Sequence, residues 1–558
     1  MAMTKAGRKV HLLAASAGVE ALGELVPALR ASGSAVTEHV LAPSWVGATE
    51  DPVRLRAELT LATTAVRAAE ADGGTLLLAD ERGAIAIPER MRILLDEQQL
   101  GWDEAWARTG ASLVARYGSP RSEPSRPYWT IAHLEREQPR LLEILYEIIR
   151  RHLDAVEAAW PGDGGRRRRL SLIRETTPRR LRLGQLAIVA CGRTTIAAPW
   201  DGPAGEILAD FGALRGAALA DDSTAVFARR FVVDSNPKLA ALLEGKLGSA
   251  WASDPARFAE LEPLAFDPAF RTAFREVRRA NRERLGALVR EAAGAPLDPE
   301  SLVDVRLGNF APHERPLLSV LWLVREHLRL AAGGWTPPAP RTVVLARHDP
   351  TGGPGDERLF RLLRAVGDSI NADERVRSAL RVAVLPRCDA EAIQLLVAGA
   401  DLANQPGTAG SGAAGARALW FAASGAVILG TRDGTVRELE AALAAENMFL
   451  FGLGPLETHA WLDGHVYRPE DVYAIDPLVR LSLDALVGTR YARAAGAFDW
   501  VRETLFDPHD RWLVLADLGA YVHRQDEALA EFADPRTFTD KAILTLARTR
   551  RFWVERLA

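Results

Sequence analysis

A glycine-rich loop at residues 407–415 is the first segment whose residue types can do chemistry. It reads Gly-Thr-Ala-Gly-Ser-Gly-Ala-Ala-Gly and lies between a strand region and a helix pattern. Backbone N–H groups at a helix start attract anions, and glycine lets a ligand approach closely. An inherited turn kept only for chain direction is the alternative, because a glycine-rich loop alone is weakly specific. The candidate ligand-binding residues of this region are Gly410, Ser411, Gly412, Gly415 and Arg417.

A second candidate segment, residues 431–434, follows an apolar strand pattern at 426–430. Ligands of open α/β sheets bind beyond the carboxyl ends of the strands. Asp433 is therefore a candidate for accepting ligand hydroxyls or acting as a catalytic base. A helix N-cap is the alternative, since aspartate favours that position. Further candidate ligand-binding residues here are Thr431, Arg432 and Glu438.

Two histidines lie where chemistry is plausible from position alone. His313, beside Arg315, is a candidate general base. His348 follows a strand pattern at 342–346 and is a candidate ligand-binding residue. An ordinary surface histidine is the alternative for each. No metal site is expected, because the histidines and cysteines show no metal-ligand spacing.

Composition excludes several classes of protein. The chain has 558 residues, a net charge of −4 and two cysteines. No basic field points to nucleic acid, and no run of about 18 apolar residues suggests a membrane span. The start lacks the apolar core of a signal peptide, so a cytoplasmic protein of two or more domains is expected.

The elements that must position these residues follow from hydrophobic periodicity. Residues 52–71 predict an amphipathic helix, and residues 138–160 predict another. Residues 73–80 and 185–191 read as buried strands. In the second half, strands at 342–346, 380–385 and 426–430 alternate with helices at 356–370, 388–399 and 434–446. That alternation predicts an α/β fold with a parallel sheet covered on both faces.

A loop-like stretch at 201–228, rich in glycine, alanine and aspartate, is the candidate domain junction. We therefore expect three parts. A first Rossmann-like domain covers 1–228, a second covers 229–536, and a C-terminal helix at 537–558 packs back toward the first domain.

Ordered matches from about residue 40 to residue 548 make the chain resemble the glycogen (α-glucan) phosphorylases. They include segments 86–94, 143–146, 236–240, 301–305, 367–371, 446–452 and 509–512. Segment 401–434 resembles the pyridoxal-phosphate site of that family. The resemblance implies two facing Rossmann-like domains around a cleft, the GT-B architecture, with a shortened N-terminal domain.

Departures from the family are as systematic as the matches. Trp420 stands where the family has its Schiff-base lysine, and indole cannot form an imine. In the segment that resembles the family's phosphate loop, cations have become Gly308, Asn309 and Glu314. We therefore expect no pyridoxal phosphate and no active glycogen phosphorylase. Trp420 is expected to fill the vacated volume, or alternatively to stack on a sugar or base.

The resemblance and the departures together leave two functions open. The favoured one is a cofactor-free glycosyltransferase that moves a sugar from a nucleotide sugar to a small acceptor. The alternative is a non-catalytic protein that binds a glycan, a metabolite or a partner. Because one of these functions is catalytic and the other is not, whether the chain is an enzyme stays open. A homodimer or a heteromer is compatible with either function.

Overall fold

The computed structural model describes most of the chain, with gaps. The described residues are 9–14, 34–40, 52–79, 81–117, 128–175, 177–196, 202–216, 219–221, 232–233, 235–252, 254–293, 296–308, 310, 314–347, 354–409, 417–463, 467–492, 494, 496–506, 510 and 512–552. The chain forms two compact units, residues 1–224 with 556–558, and residues 225–555.

The first unit is built on a six-stranded parallel sheet with strand order β2-β1-β3-β4-β8-β9. A small antiparallel sheet of order β5-β7-β6 accompanies it. The strands are β1 (Lys9–Ala14), β2 (Ala35–Val40), β3 (Thr75–Leu78), β4 (Leu113–Tyr117), β5 (Tyr128–Thr130), β6 (Ile173–Arg174), β7 (Arg180–Arg182), β8 (Arg193–Ile196) and β9 (Leu219–Asp221).

Helices supply the rest of the first unit's core. In α5, Leu141, Leu145, Ile148 and His152 recur every three or four residues and are buried, and its proline at the first turn suits a helix start. The helices are α1 (Pro52–Asp72), α2 (Ala86–Arg92), α3 (Trp102–Ser112), α4 (Ile131–Glu137), α5 (Pro139–Ala159), α6 (Gly164–Leu170), α7 (Leu183–Ala190) and α8 (Gly202–Arg215).

The second unit contains another six-stranded parallel sheet, of order β12-β11-β10-β13-β14-β15. Strands β10, β11, β13 and β14 are buried along their whole length, as expected for a parallel sheet covered on both faces. The strands are β10 (Leu302–Gly308), β11 (Arg341–Arg347), β12 (Leu380–Leu385), β13 (Leu402–Gln405), β14 (Val427–Thr431) and β15 (Phe449–Phe451).

Thirteen α-helices of the second unit lie in the described part of the chain. They are α9 (Pro237–Leu247), α10 (Pro268–Ala293), α11 (Pro316–Ala332), α12 (Pro354–Ala372), α13 (Ala390–Gly399), α14 (Arg417–Ala423), α15 (Thr435–Leu443), α16 (Pro455–Asp463), α17 (Pro469–Ile475), α18 (Pro477–Val487), α19 (Asp499–Phe506), α20 (Val514–Phe532) and α21 (Pro535–Arg548).

A buried carboxylate joins helix α10 to the sheet of the second unit. One oxygen of Asp401 lies 3.2 Å from a guanidinium nitrogen of Arg278, and the other lies 3.1 Å from Arg282. The backbone N–H of Val303 also donates to Asp401, at 3.0 Å. Because the single Asp401 carboxylate is shared by both guanidinium groups, it offsets part of their buried charge and joins three elements.

The structure confirms the α/β class with parallel sheets and corrects several local expectations. Residues 185–190 lie in helix α7 instead of a strand, since burial on nearly every side removes the helical period from the sequence. The stretch 201–228 contains helix α8 and strand β9 instead of an uninterrupted loop. Apolar side chains of helix α21 such as Ile543 and Leu546 belong to the core of the second unit, and the packing of residues 537–558 toward the first domain stays a prediction. None of the described helices is long and apolar enough to cross a membrane.

Replacing Asp401 with alanine is expected to lower the free energy of unfolding by about 3–5 kcal/mol, because two buried cations lose their counter-charge. Urea denaturation followed by circular dichroism measures the change. The control is Glu283→Ala, which removes an exposed carboxylate from helix α10, the helix that carries Arg278 and Arg282, and should stay within about 0.5 kcal/mol of the parent. Equal effects of the two substitutions would contradict the role given to Asp401.

Candidate functional site

The order of strands in the second unit reverses between β10 and β13. From β10 the chain proceeds outward to β11 and β12 on one side, and β13, β14 and β15 follow on the other. In open α/β sheets, the crevice outside the carboxyl ends of the strands at such a reversal is where ligands bind. Here those ends are Gly308 and Gln405. We refer to this place as the switch-point site.

Arg306 supplies a buried cation beneath the switch-point site. It shares one face of β10 with Gly308, because alternate strand residues point the same way. One guanidinium nitrogen donates to the Ser319 hydroxyl at 3.0 Å, and another donates to the backbone carbonyl of Glu314. Burial lowers the pKa of Arg306 to about 10, so the side chain remains charged at neutral pH.

A buried ion pair between Glu314 and Arg417 closes the switch-point site. A guanidinium nitrogen of Arg417 lies 2.9 Å from a Glu314 carboxylate oxygen, and less than a tenth of either side chain is exposed. The other Glu314 oxygen fills the space beside Gly308, where an added Cβ atom would collide with it. Glycine at 308 and glutamate at 314 are therefore sterically coupled.

The space left at the switch-point site is small. The cavity among these side chains has a volume of about 10 Å³ and is lined also by Asn404, Gln405 and Gly407. A cavity of that size holds about one water molecule. Within the described residues, a phosphate or a sugar ring does not fit without movement of Glu314 or Arg417.

Arg315 fixes the residues that lead into helix α11. Its backbone has a positive φ of 51°, which is strained for a residue with a side chain and is maintained by its contacts. The guanidinium forms a buried ion pair with Asp517 and donates to the Pro406 carbonyl at 2.9 Å. These two contacts hold the segment that contains Glu314 against the carboxyl end of β13.

The 431–434 segment lies at the carboxyl end of β14, as predicted. The Thr431 hydroxyl donates to the Gly407 carbonyl and so joins this segment to the start of the glycine-rich loop. Asp433 is buried, and the N-cap of α15 is Gly434, so the N-cap interpretation of Asp433 is wrong by one residue. Arg432 points toward solvent and pairs with Glu440 at 3.0 Å.

The remaining candidates divide between buried residues and residues outside the described part of the chain. Trp420 lies among the core residues of the second unit, and Glu438 is buried in the first turn of α15. Their functional roles stay predictions. The candidates outside the described residues are His313, His348, Gly410, Ser411, Gly412 and Gly415.

Arg306 and the amide side chains of Asn404 and Gln405 were not among the sequence candidates. A signal for Arg306 existed, because Asp304 and Arg306 place two charges on one face of an otherwise apolar strand. Charged residues in a buried strand are rare unless they are paired or functional. The sequence contains no comparable signal for Asn404 and Gln405.

Replacing Gly308 with alanine is expected to lower the free energy of unfolding by about 1–3 kcal/mol, because the new methyl group overlaps the Glu314 carboxylate. The double variant with Glu314→Ala should cost less than the sum of the two single changes. The control is Gly519→Ala, in an open helical position with nothing near its added Cβ atom. Additive effects of the two site substitutions, measured by chemical denaturation, would disprove the coupling.

Curated proteins similar to this chain are glycogen phosphorylases. The brain form of Bos taurus is 29% identical over 488 residues, which cover 87% of this chain and 58% of the relative. The enzyme of Synechocystis sp. is 30% identical over 486 residues, covering 86% of this chain and 56% of the relative. The enzyme of Chlamydia trachomatis is 27% identical over 470 residues, covering 84% and 57%. This chain thus spans a little more than half the length of these relatives.

Glycogen phosphorylases use pyridoxal phosphate, and none of these similarities shows that the cofactor was lost. The expectation of a protein without pyridoxal phosphate is therefore corrected. An imine at residue 420 nevertheless does not fit, because Trp420 carries no amine. Lys541, the one buried lysine among the described residues, pairs with Glu531 at 2.7 Å and lies over the Phe449 ring.

The family model that matches the chain is that of the carbohydrate phosphorylases, and the match runs from residue 69 to residue 557. It takes in both parallel sheets of the structure, apart from strands β1 and β2, and the whole switch-point site. The chain belongs to the carbohydrate phosphorylase family.

Proposed function

We propose that this chain is a carbohydrate-binding member of its family whose switch-point site does not use inorganic phosphate. The observation that carries the proposal is the Glu314 carboxylate, held by Arg417 in the space beside Gly308.

Charge at the switch-point site argues against phosphate. A phosphate dianion needs cationic or N–H donors that are not already neutralised. Arg417 is neutralised by Glu314, and the charge of Arg306 is directed at a carbonyl and a hydroxyl. The Glu314 carboxylate would repel a second anion placed in the same low-dielectric site.

Space at the switch-point site supports the same conclusion. The chain's own Glu314 carboxylate occupies the space beside Gly308 and leaves a cavity of only about 10 Å³, too small for an exchangeable phosphate. A neutral glycan avoids the electrostatic penalty, because its hydroxyl groups can both donate and accept hydrogen bonds. The carbohydrate-phosphorylase match over residues 69–557 is the ground for choosing a glycan as the ligand class.

Glycosyl transfer from a nucleotide sugar is the second candidate. It is favoured by the position of Asp433 and Glu438 beyond the carboxyl end of β14, where substrates of such sheets bind. It is disfavoured by the pairing of Arg417, which the transfer hypothesis assigns to the donor diphosphate. A homodimer or a heteromer remains compatible with both candidates.

The full chain, supplied with pyridoxal phosphate, inorganic phosphate and glycogen, is expected to release no glucose 1-phosphate above background. Glycogen in a native gel should nevertheless retard the protein, which reports binding directly. A glycogen phosphorylase such as the Synechocystis enzyme is the positive control for the assay. Phosphorolysis by this chain would overturn the proposal. Release of nucleoside diphosphate from a nucleotide sugar would instead support the second candidate function, glycosyl transfer.

Replacing Glu314 with alanine is expected to create an anion site, because Arg417 loses its internal partner. The variant alone should unfold more easily by about 3–5 kcal/mol, the usual cost of an unpaired buried charge. Phosphate at a hundred times its dissociation constant should restore about 2.7 kcal/mol. Thermal unfolding with and without phosphate measures both effects.

The matched control for this experiment is Glu326→Ala, which removes a different buried glutamate that pairs with Arg325 away from the switch-point site. Phosphate should not rescue that variant. If phosphate stabilises the parent protein as strongly as the Glu314→Ala variant, Glu314 does not exclude anions from the site.

A further inference from the structure

The first unit contains a cavity that belongs to no site described so far. Its volume is about 230 Å³, and helices α3, α5, α7 and α8 line it. Because an apolar cavity of roughly 150 Å³ accommodates a benzene molecule, this one has room for a single ring with a substituent. It lies within one compact unit and does not depend on the switch-point site or on the proposed function.

One side of the cavity is aromatic. Trp102 and Trp106 stand one helical turn apart at the start of α3, so both indoles project from the same face. Facing them, α5 contributes Ile148, His152 and Ala155, again at helical spacing along one face. Indole rings and aliphatic side chains together form a wall on which a planar or apolar group can pack.

The polar groups of the cavity are hydrogen-bond donors. The Arg215 side chain donates to the Cys191 carbonyl at 2.9 Å, while its Nε–H is buried with no hydrogen-bond partner among the described residues. The indole N–H of Trp102 is likewise buried and without a described partner. Buried donors left unsatisfied cost free energy, and a ligand with acceptor atoms would remove that cost.

Charge in the cavity is positive. Arg151 lies with its guanidinium 5.1 Å from the Trp102 ring and is balanced by Glu147 and Asp103. Arg215 has no carboxylate within ion-pairing distance in the part of the chain that the structure describes. Burial lowers the pKa of Arg215, as expected for a cation without a counter-charge.

Ionisable groups on the other wall do not supply the missing negative charge. His152 donates from Nε2 to the Leu170 carbonyl at 2.9 Å, and burial lowers the pKa of its imidazole, so it stays neutral near pH 7. No aspartate or glutamate is among the described residues that line the cavity. The described residues that line the cavity therefore supply no counter-charge for Arg215.

We propose that this cavity binds a small organic anion: a carboxylate or phosphate monoester carried on one aromatic or apolar ring. The ring packs between the indoles and Ile148, and the anionic group accepts hydrogen bonds from Arg215 and the Trp102 N–H. A neutral sugar fits less well, because its hydroxyl protons find no side-chain carboxylate or amide acceptor among the described lining residues.

Isothermal titration calorimetry with the full chain tests the proposal. The probes are phenyl phosphate and phenylacetate, with inorganic phosphate, benzyl alcohol and maltose as comparisons. At least one of the two ring-bearing anions should bind. The other three should bind at least about tenfold more weakly, because each lacks either the ring or the charge. Binding of neither ring-bearing anion at millimolar concentration would overturn the proposal, as would tighter binding of maltose.

Two substitutions test whether the anion binds in this cavity. Arg215→Gln removes the cation, and Ala155→Phe fills the cavity from a residue whose own side chain is exposed, so folding should be preserved. Each should weaken binding of the anion by about tenfold or more. The matched controls are Arg108→Gln and Ala158→Phe, which alter exposed residues outside the cavity. Unchanged affinity in both test variants, with circular dichroism showing intact folding, would show that the anion binds elsewhere.

Discussion

The Glu314 carboxylate and the Arg417 guanidinium depend on each other at the centre of the second unit. Either group alone would be a buried charge, which low-dielectric surroundings make costly. Together they form a neutral unit that fits only because residue 308 has no side chain. The chemistry at the reversal of strand order is therefore set by charges that the chain satisfies internally, and any ligand must compete with that pairing.

A polar layer lies beneath this pair. Asp304 and Arg306 share a face of β10, and burial raises the pKa of the Asp304 carboxyl. The Tyr521 hydroxyl accepts hydrogen bonds from Asn404 and Gln525, each at 2.8 Å. Because Asn404 belongs to strand β13 and the other two residues to helix α20, these hydrogen bonds connect the sheet to that helix.

Much of the second sheet could be predicted because its strands are short, apolar and separated by helical patterns. Strand β12 has the bounds expected from sequence, and β11 and β14 differ by one residue at the ends. Strand β10 could not be predicted from the sequence, because the charged residues Asp304 and Arg306 interrupt its apolar run. In the first unit, the sequence of helix α7 predicts a strand, because a helix that is buried on nearly all sides shows no hydrophobic periodicity.

The candidate site was less predictable than the fold, for a reason that lies in distance along the chain. Glu314 and Arg417 are 103 residues apart in the sequence. Periodicity reports neighbours three or four positions away and carries no information on such a pair. Only the fold shows that the Glu314 carboxylate meets the guanidinium of Arg417 at the start of helix α14. Residues 308, 314 and 417 then form one steric and electrostatic unit of a small residue, an anion and a cation. Because the three residues fit one another, a change at one of them alters the effect of a change at the others, which treating each residue alone would miss.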